Sequence, residues 1–272
     1  MERVSDPGKR DLWIRRFHPS VSAKARLVCL PHAGGSASFF FPVSRALSPA
    51  VEVLSVQYPG RQDRRTENPI ESITELADAV TRELLSWADR PLALFGHSMG
   101  AVLAFEIVRR LEDRGVLPLI LFASGRRAPS CGRVKQVHLL DDDGLIAEIT
   151  VLAGTSLQIL GDKEIMRMAL PSIRSDYKAV ETYRWQPGSL VRSPIHVHVG
   201  NDDPRVPVGE ARMWEQHTAG DFFLTTYPGG HFYLVDQSTL VTENLSRAIA
   251  VRLSDRDTRH DQPKPPQPRA LR

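Results

Sequence analysis

The sequence has few of the features that mark disulfide-rich, membrane-spanning or nucleic-acid-binding proteins. Its 2 cysteines are too few for a disulfide framework, so we expect a reducing cytoplasm as its compartment. No apolar run approaches the roughly 20 residues that a membrane-spanning helix needs, and residues 1–8 have no apolar core of a secretory signal. The net charge of +3 is small and the arginines are scattered, so neither a membrane nor a nucleic acid is expected as a partner.

Motifs for cofactors and metals are also missing. The chain contains no Gly-x-Gly-x-x-Gly and no phosphate-binding loop. His196 and His198 share one face of a predicted strand, as two metal ligands can, but no third ligand is spaced nearby. We therefore expect neither a metal nor a resident cofactor.

What the chain does contain is an alternation of short apolar runs with amphipathic helical patterns. The runs predict strands at Leu12–Phe17, Ala25–Leu30, Val51–Gln57, Leu92–Phe95, Leu117–Ala123, Ile195–Val199 and Phe222–Tyr227. The helical patterns cover Ser36–Leu47, with Ser36 as a possible N-cap, and Ser72–Ala88, Ser98–Arg114, Val208–His217 and Thr239–Leu253. Strands that are apolar on both faces and alternate with helices indicate an α/β fold, with a mostly parallel sheet covered on both sides.

One segment interrupts this alternation before the last two strands. About residues 139–185 contain no convincing strand and three helical patches, at Asp141–Leu152, Asp162–Leu170 and Ser172–Tyr183. We predict a single domain over residues 1–253 with this helical insertion, which by its position covers a site. The alternative is a small helical subdomain with no gating role. The remaining residues, 254–272, are polar and rich in proline, which predicts a disordered tail.

The most informative motif is Gly-x-Ser-x-Gly at residues 96–100, directly after the apolar run at residues 91–95 and before a helical segment. A strand, a sharp turn with an exposed serine and then a helix form a nucleophile elbow. Gly96 and Gly100 remove side chains where the helix must pack close to the strand. Ser98 is therefore predicted to be a catalytic nucleophile; the alternative is a plain turn in which Ser98 caps the helix.

A serine hydroxyl needs a base, and in the α/β-hydrolase order an acid and then a histidine follow the serine. Among the downstream histidines, His231 lies in a glycine-rich turn after the last strand, and it is the base by elimination and position; the alternative is a surface histidine. The acid should follow the preceding strand, where Gly-x-x-Asp spacing favours Asp203 and leaves Asp202 as the alternative.

The oxyanion hole of such a site needs two backbone N–H groups. One belongs to the residue after the nucleophile, Met99, and the other to a loop after an earlier strand. The glycine-rich loop at residues 31–35 follows such a strand, and Ala33 is the expected second donor. His32 is expected to shape this loop, and His97 to pack and form hydrogen bonds.

Five motifs together extend the match beyond the catalytic residues. They lie at residues 26–37, 57–61, 95–100, 170–176 and 229–232. With them the chain resembles, over about residues 12–253, the type II thioesterases that accompany modular polyketide synthases and nonribosomal peptide synthetases.

The resemblance implies an α/β-hydrolase fold in which the insertion is a lid. It also implies hydrolysis of acyl groups from the 4'-phosphopantetheine arm of an acyl or peptidyl carrier protein, which clears misprimed or stalled thioesters. The family's motif positions match Ser98, Asp203 and His231, with Ala33 and Met99 as oxyanion donors. Three other functions remain open at this point: a generic carboxylesterase, an acyltransferase and a non-catalytic binding protein on a hydrolase fold.

Overall fold

A seven-stranded sheet forms the centre of the computed structural model, which describes residues 12–132, 136–153, 163–188 and 190–260. Its strands are β1 (Ile14–Arg15), β2 (Ala25–Leu30), β3 (Val51–Val56), β4 (Leu92–His97), β5 (Leu121–Ser124), β6 (Ile195–Gly200) and β7 (Phe222–Tyr227). They are ordered β1-β3-β2-β4-β5-β6-β7. Only β1 runs antiparallel to its neighbour; the other pairs are parallel. The predicted α/β class with a mostly parallel sheet is confirmed.

The strands are apolar throughout because both faces of the sheet are buried. In β2, Val28 and Leu30 belong to one apolar cluster, whereas Leu27 and Cys29 belong to another on the opposite face. Side chains along a strand point alternately to the two faces, so a continuous apolar run fills both clusters. β1 is shorter than predicted, because only two of its residues pair with the end of β3 at the sheet edge.

Helices cover both faces of the sheet. They are α1 (Phe41–Leu47), α2 (Ile73–Leu84), α3 (Met99–Asp113), α4 (Asp142–Ala153), α5 (Lys163–Thr182), α6 (Val208–Arg212), α7 (Tyr233–Asp236) and α8 (Ser238–His260). α2 and α3 bury their apolar residues in the first cluster, and α1 and α8 in the second. No helix in the described ranges has the length and apolar character that a membrane span requires.

The segment Ser36–Leu47 starts differently from the prediction. A 3-10 turn at Ala37–Phe40 precedes α1, and the Ser36 side chain does not cap it. The N–H of Ala37 instead donates to Oε1 of Gln57 at 2.8 Å. The Ser36 hydroxyl lies 2.9 Å from Ser38 Oγ.

The described part of the chain between β5 and β6 contains the two longer helices α4 and α5. α5 runs without a break through Pro171, so the prediction of two separate helices on either side of this proline is wrong. A proline inside a helix removes one backbone hydrogen bond. Leu170 and Ile173, on both sides of it, are buried together in a small apolar cluster with Val137 and Leu145. This packing outweighs the missing bond.

The last helix extends further than predicted. α8 continues to His260, so the assignment of residues 254–260 to a disordered tail is wrong. Arg252 pairs with Asp221 at 2.8 Å and with Asp255 at 3.5 Å. The residues between Arg252 and Pro263 include no proline that would end the helix. The rest of the predicted tail, residues 261–272, lies outside the described residues.

Candidate active site

Ser98 lies at the junction of β4 and α3 in a strained backbone conformation. Its φ is 55° and its ψ is −113°, a region that residues other than glycine rarely occupy. The Ser98 side chain makes no capping hydrogen bond with α3, so the helix-cap alternative is not what the structure shows. The backbone N–H of Ser98 donates to the Ser124 carbonyl at 2.8 Å, which ties the turn to β5.

The two glycines of the motif permit a close approach of backbones. A Cβ added to Gly96 would lie 2.0 Å from the carbonyl oxygen of Gly100, and one added to Gly100 would lie 2.1 Å from that of Leu30. Neither distance leaves room for a side chain, and backbone atoms cannot rotate away. The glycines therefore let α3 begin directly against β2 and β4, which holds Ser98 at the end of the sheet.

His231 and Asp203 are in direct contact. Nδ1 of His231 lies 2.8 Å from Oδ2 of Asp203, and both residues are buried. The other carboxylate oxygen of Asp203 accepts the N–H of Arg205 at 2.8 Å. Asp202 is exposed, and its N–H donates to the Gly229 carbonyl. Of the two candidate acids, the structure brings Asp203 to the histidine.

Four of the predicted site residues line one cavity: Ser98, His231, Ala33 and Met99. Asp203 stands behind His231 and orients its ring. The cavity also receives charged side chains that sequence reasoning missed, because they come from distant segments that no local motif connects. Its other lining residues are Gly125, Arg126, Arg127, Val137, Glu148, Leu152, Tyr177, Val180, Glu181, Arg205 and Val206.

The amide groups of Ala33 and Met99 have no hydrogen-bond acceptor within the part of the chain that the structure describes. Met99 is the first residue of α3, and first-turn N–H groups have no partner inside a helix. In the loop at residues 31–35, the N–H of Gly34 donates to Oδ2 of Asp176 at 2.7 Å and that of Gly35 to the His32 carbonyl at 2.9 Å. The Gly34 and Gly35 amides are therefore occupied, whereas the amide of Ala33, which lines the cavity, has no acceptor among the described residues.

Two further histidines, His97 and His32, form a row with His231, and burial keeps both of them neutral at neutral pH. The ring of His97 lies 5.1 Å from that of His231, and the ring of His32 lies 5.9 Å from that of His97. Burial lowers the pKa of His32 to about 3 and that of His97 well below its ordinary value. His97 Nδ1 lies 2.9 Å from Ser124 Oγ, which is 2.6 Å from the Tyr233 hydroxyl. His97 thus packs and hydrogen-bonds, as expected.

The histidine pair of β6 is engaged in ordinary hydrogen bonds. Nε2 of His196 lies 2.8 Å from Thr225 Oγ1, and Nδ1 of His198 lies 2.8 Å from the Tyr227 hydroxyl. Among the described residues, no three His, Cys, Asp or Glu side chains are placed to hold a metal ion.

Comparison with known proteins gives a family and several relatives. A family model described as "Thioesterase domain" matches residues 25–249. The chain is 50% identical to Thioesterase PikA5 of Streptomyces venezuelae over 254 residues, which cover 93% of this chain and 90% of that protein. It is 49% identical to a probable cadicidin biosynthesis thioesterase of Streptomyces griseus over 87% of this chain, but spans only 66% of that relative.

Solved structures agree with the sequence relatives. The type II thioesterase BorB from the borrelidin biosynthetic cluster has a TM-score of 0.85 and 50% identity, covering 89% of this chain and 99% of that one. YbtT, a type II thioesterase from the yersiniabactin pathway, has a TM-score of 0.79 and 31% identity, over 88% and 99% of the two chains.

Proposed function

The chain belongs to the thioesterase family, and we propose that it removes acyl groups from the phosphopantetheine arm of acyl or peptidyl carrier proteins as an editing enzyme. Family and relatives make it a thioester hydrolase, as the motifs predict. The observation that carries the proposed site is the buried His231–Asp203 contact beside a cavity that Ser98 also lines. The names of BorB and YbtT, which tie those proteins to biosynthetic pathways, support the choice of substrate.

The first half of the reaction acylates Ser98. Since Nδ1 of His231 is held by Asp203, Nε2 is the ring nitrogen left to take the Ser98 proton. The serine oxygen attacks the thioester carbonyl carbon, and the carbonyl electron pair moves onto oxygen. The Asp203 carboxylate stabilises the imidazolium that forms.

The amides of Ala33 and Met99 receive the developing oxyanion. Both line the cavity with Ser98, and the Met99 amide lies at the N-terminus of α3, where the helix dipole favours negative charge. Loss of one such donor typically costs about 10²–10³ in rate.

Collapse of the tetrahedral intermediate breaks the carbon–sulfur bond, and His231 gives its proton to the departing pantetheine thiol. Water then attacks the acyl-serine ester while His231 takes its proton, and Ser98 recovers its hydrogen as the free acid leaves. These steps use protein side chains, backbone amides and water, and we expect no cofactor to take part.

The surroundings of the site suit this substrate. Residues of α4 and α5 line the cavity with Ser98, and we assign these helices the role of a lid over the acyl chain. The net charge of +3 suits an acidic carrier protein as partner. Cys29 and Cys131 are free thiols, which fits a reducing cytoplasm.

The test compares kcat/KM for one acyl group presented as a carrier-bound thioester, as a free pantetheine thioester and as an oxygen ester of equal chain length. We expect the order carrier thioester, free thioester, oxygen ester. A preference for the oxygen ester would identify a carboxylesterase, and transfer to an added alcohol or amine instead of water an acyltransferase. Absence of turnover and of fluorophosphonate labelling at Ser98 would indicate a binding protein. Each of these three results overturns the proposal.

A further inference from the structure

We propose that Asp176 of α5 is a positioning residue for the oxyanion hole. Its carboxylate, paired with Arg61, holds the loop at residues 31–35 in the position that aims the Ala33 amide at the cavity. The inference rests on the proposed function in taking Ala33 as an oxyanion donor. It adds a role for two residues that lie outside the catalytic set.

The contact joins three segments that are distant in the sequence. Oδ2 of Asp176 accepts the N–H of Gly34 at 2.7 Å and also accepts a hydrogen bond from Nη2 of Arg61. Asp176 is 2% exposed and Arg61 is 7% exposed. A buried ion pair adds little net stability over an apolar pair of the same size, but removal of one partner leaves an unpaired buried charge. Stability alone is therefore a poor reason for a buried pair at this position.

Close packing between the 31–35 loop and α5 adds to the hydrogen bond between Gly34 and Asp176. Gly34 has a φ of +76°, and a Cβ there would lie 2.6 Å from Cγ1 of Ile173, one turn before Asp176 on α5. The adjacent Ser172 donates its hydroxyl to the Gly60 carbonyl, in the loop that carries Arg61. The 31–35 loop thus lies against α5 and cannot shift unless the helix shifts too.

The Asp176 contact acts on Ala33 through one peptide unit, the one that joins Ala33 to Gly34. The Gly34 N–H that binds Asp176 belongs to the same planar peptide as the Ala33 carbonyl. Fixing this plane limits the rotation of the Ala33 backbone, and Ala33 lines the cavity with Ser98. A misplacement of about 1 Å in a catalytic group can cost about 10² in rate. Loss of the Asp176 contact should therefore weaken catalysis without removing any group that touches substrate.

The experiment separates positioning from a merely structural role. Asp176→Ala removes the acceptor, and Asp176→Asn keeps its shape but removes the charge that pairs with Arg61. Glu52→Gln is the matched control, because Glu52 is a fully buried carboxylate bound to Arg26 near the start of β3, whereas Arg61 follows the end of that strand. All are assayed for kcat, KM and the thermal unfolding midpoint.

Two inhibitors supply the decisive readout. An alkylthio trifluoromethyl ketone forms a hemiketal with the Ser98 oxygen, and its carbonyl oxygen becomes an oxyanion in the hole. The corresponding alcohol has nearly the same shape and cannot form that adduct. Because transition-state analogues report the stabilising groups of the site, ketone affinity should follow the position of Ala33 and alcohol affinity should not.

We expect Asp176→Ala to lower kcat and ketone affinity together by about 10- to 100-fold, with KM and alcohol affinity within about twofold. Asp176→Asn should lose a smaller factor in the same two quantities, and it carries the test if the alanine variant does not fold. Glu52→Gln should lower the unfolding midpoint and leave kcat unchanged. The proposal is overturned if kcat and ketone affinity of the folded variants equal those of the wild type, or if ketone and alcohol affinity fall equally.

Failure of the proposed function and failure of the positioning role give different experimental results. A wild-type protein that the ketone does not inhibit, or an active Ser98→Ala variant, refutes the proposed function itself. A wild type that binds the ketone tightly, combined with unchanged Asp176 variants, refutes only the positioning role.

Discussion

His231 contacts Asp203 and not the adjacent Asp202. The 2.8 Å distance between Nδ1 of His231 and Oδ2 of Asp203 is a buried contact, whereas the Asp202 side chain is exposed to solvent. The loop after β6 turns so that Asp202 offers only its backbone N–H to the Gly229 carbonyl. Two neighbouring carboxylates that look equivalent in the sequence therefore face different surroundings.

This difference predicts opposite outcomes for two matched substitutions. Asp203→Asn should lower kcat by about 10⁴, the loss that the equivalent change causes in a serine protease by favouring the wrong histidine tautomer. Asp202→Asn should leave kcat within about twofold, since its side chain does not reach His231. Steady-state kinetics of both variants on one acyl thioester check the assignment. A large loss in the Asp202 variant with an active Asp203 variant would reverse it.

The glycines of the elbow predict a stability effect that differs from an ordinary helix substitution. Gly100→Ala places a Cβ 2.1 Å from the Leu30 carbonyl oxygen, and we expect a loss of about 3 kcal/mol or more in the free energy of unfolding. Gly209→Ala, in α6, meets no atom within 4 Å and should be neutral or stabilising by up to about 1 kcal/mol. Urea denaturation measures both. Equal stability of the two variants would contradict the packing account.

Buried neutral histidines predict a loss of stability in mild acid. Burial lowers the pKa of His32 to about 3 and the pKa values of His196 and His217 to about 4, and it holds those of His97 and His198 well below 6.5. Below about pH 6.5 the unfolded chain binds protons at these residues that the folded chain does not bind. The free energy of unfolding should therefore fall as the pH is lowered, by up to about 1.4 kcal/mol per pH unit for each histidine.

Urea denaturation at about pH 7.5 and about pH 5.5 measures this effect, in a range where most carboxylates stay ionised. His196→Gln should show a smaller fall than the wild type, because one proton-binding group is removed from the unfolded chain. A wild-type stability that does not change between these pH values would contradict the assignment of neutral, buried histidines.

The contact between Glu148 of α4 and the Arg205 side chain predicts a local effect on α4. The backbone N–H of Arg205 donates to Asp203, so Arg205→Met should remove the Arg205 side-chain contact with α4 and keep the support of Asp203. We expect hydrogen exchange in α4 to rise about fivefold, which corresponds to about 1 kcal/mol. Arg15→Met is the control, because Arg15 pairs with Asp63, which does not lie in α4. Unchanged hydrogen exchange in α4 would show that this pair does not stabilise the helix.

The sequence predicted the features of the fold and the site that depend on residue order and periodicity within one segment. Continuous apolar runs predicted a sheet that is buried on both faces, and Leu27 and Val28 now lie in separate clusters on those faces. The strand–turn–helix order around Ser98 predicted the elbow. Chain order and the glycine-rich turn indicated His231, because the ends of parallel strands meet at one edge of the sheet.

What the sequence could not predict depends on contacts between distant segments. No local sequence pattern shows that packing around Leu170 and Ile173 keeps α5 continuous through Pro171. Nor does one show that Arg252 supports α8 beyond residue 253. The choice between Asp202 and Asp203 required the turn geometry after β6. Arg61 and Asp176 both lie in motifs of the family resemblance, but they are 115 residues apart, and only the fold brings them to Gly34.

The central claim is that Ser98 carries the acyl group between a carrier-bound thioester and water. The most direct measurement is a single-turnover reaction with an acyl carrier protein bearing a radiolabelled acyl group, followed by rapid quenching and peptide mass mapping. The account predicts a transient acyl ester on the peptide that contains Ser98, release of the free acid, and neither product with Ser98→Ala. Hydrolysis by the Ser98→Ala protein at the wild-type rate, or an acyl group trapped on another residue, would contradict it.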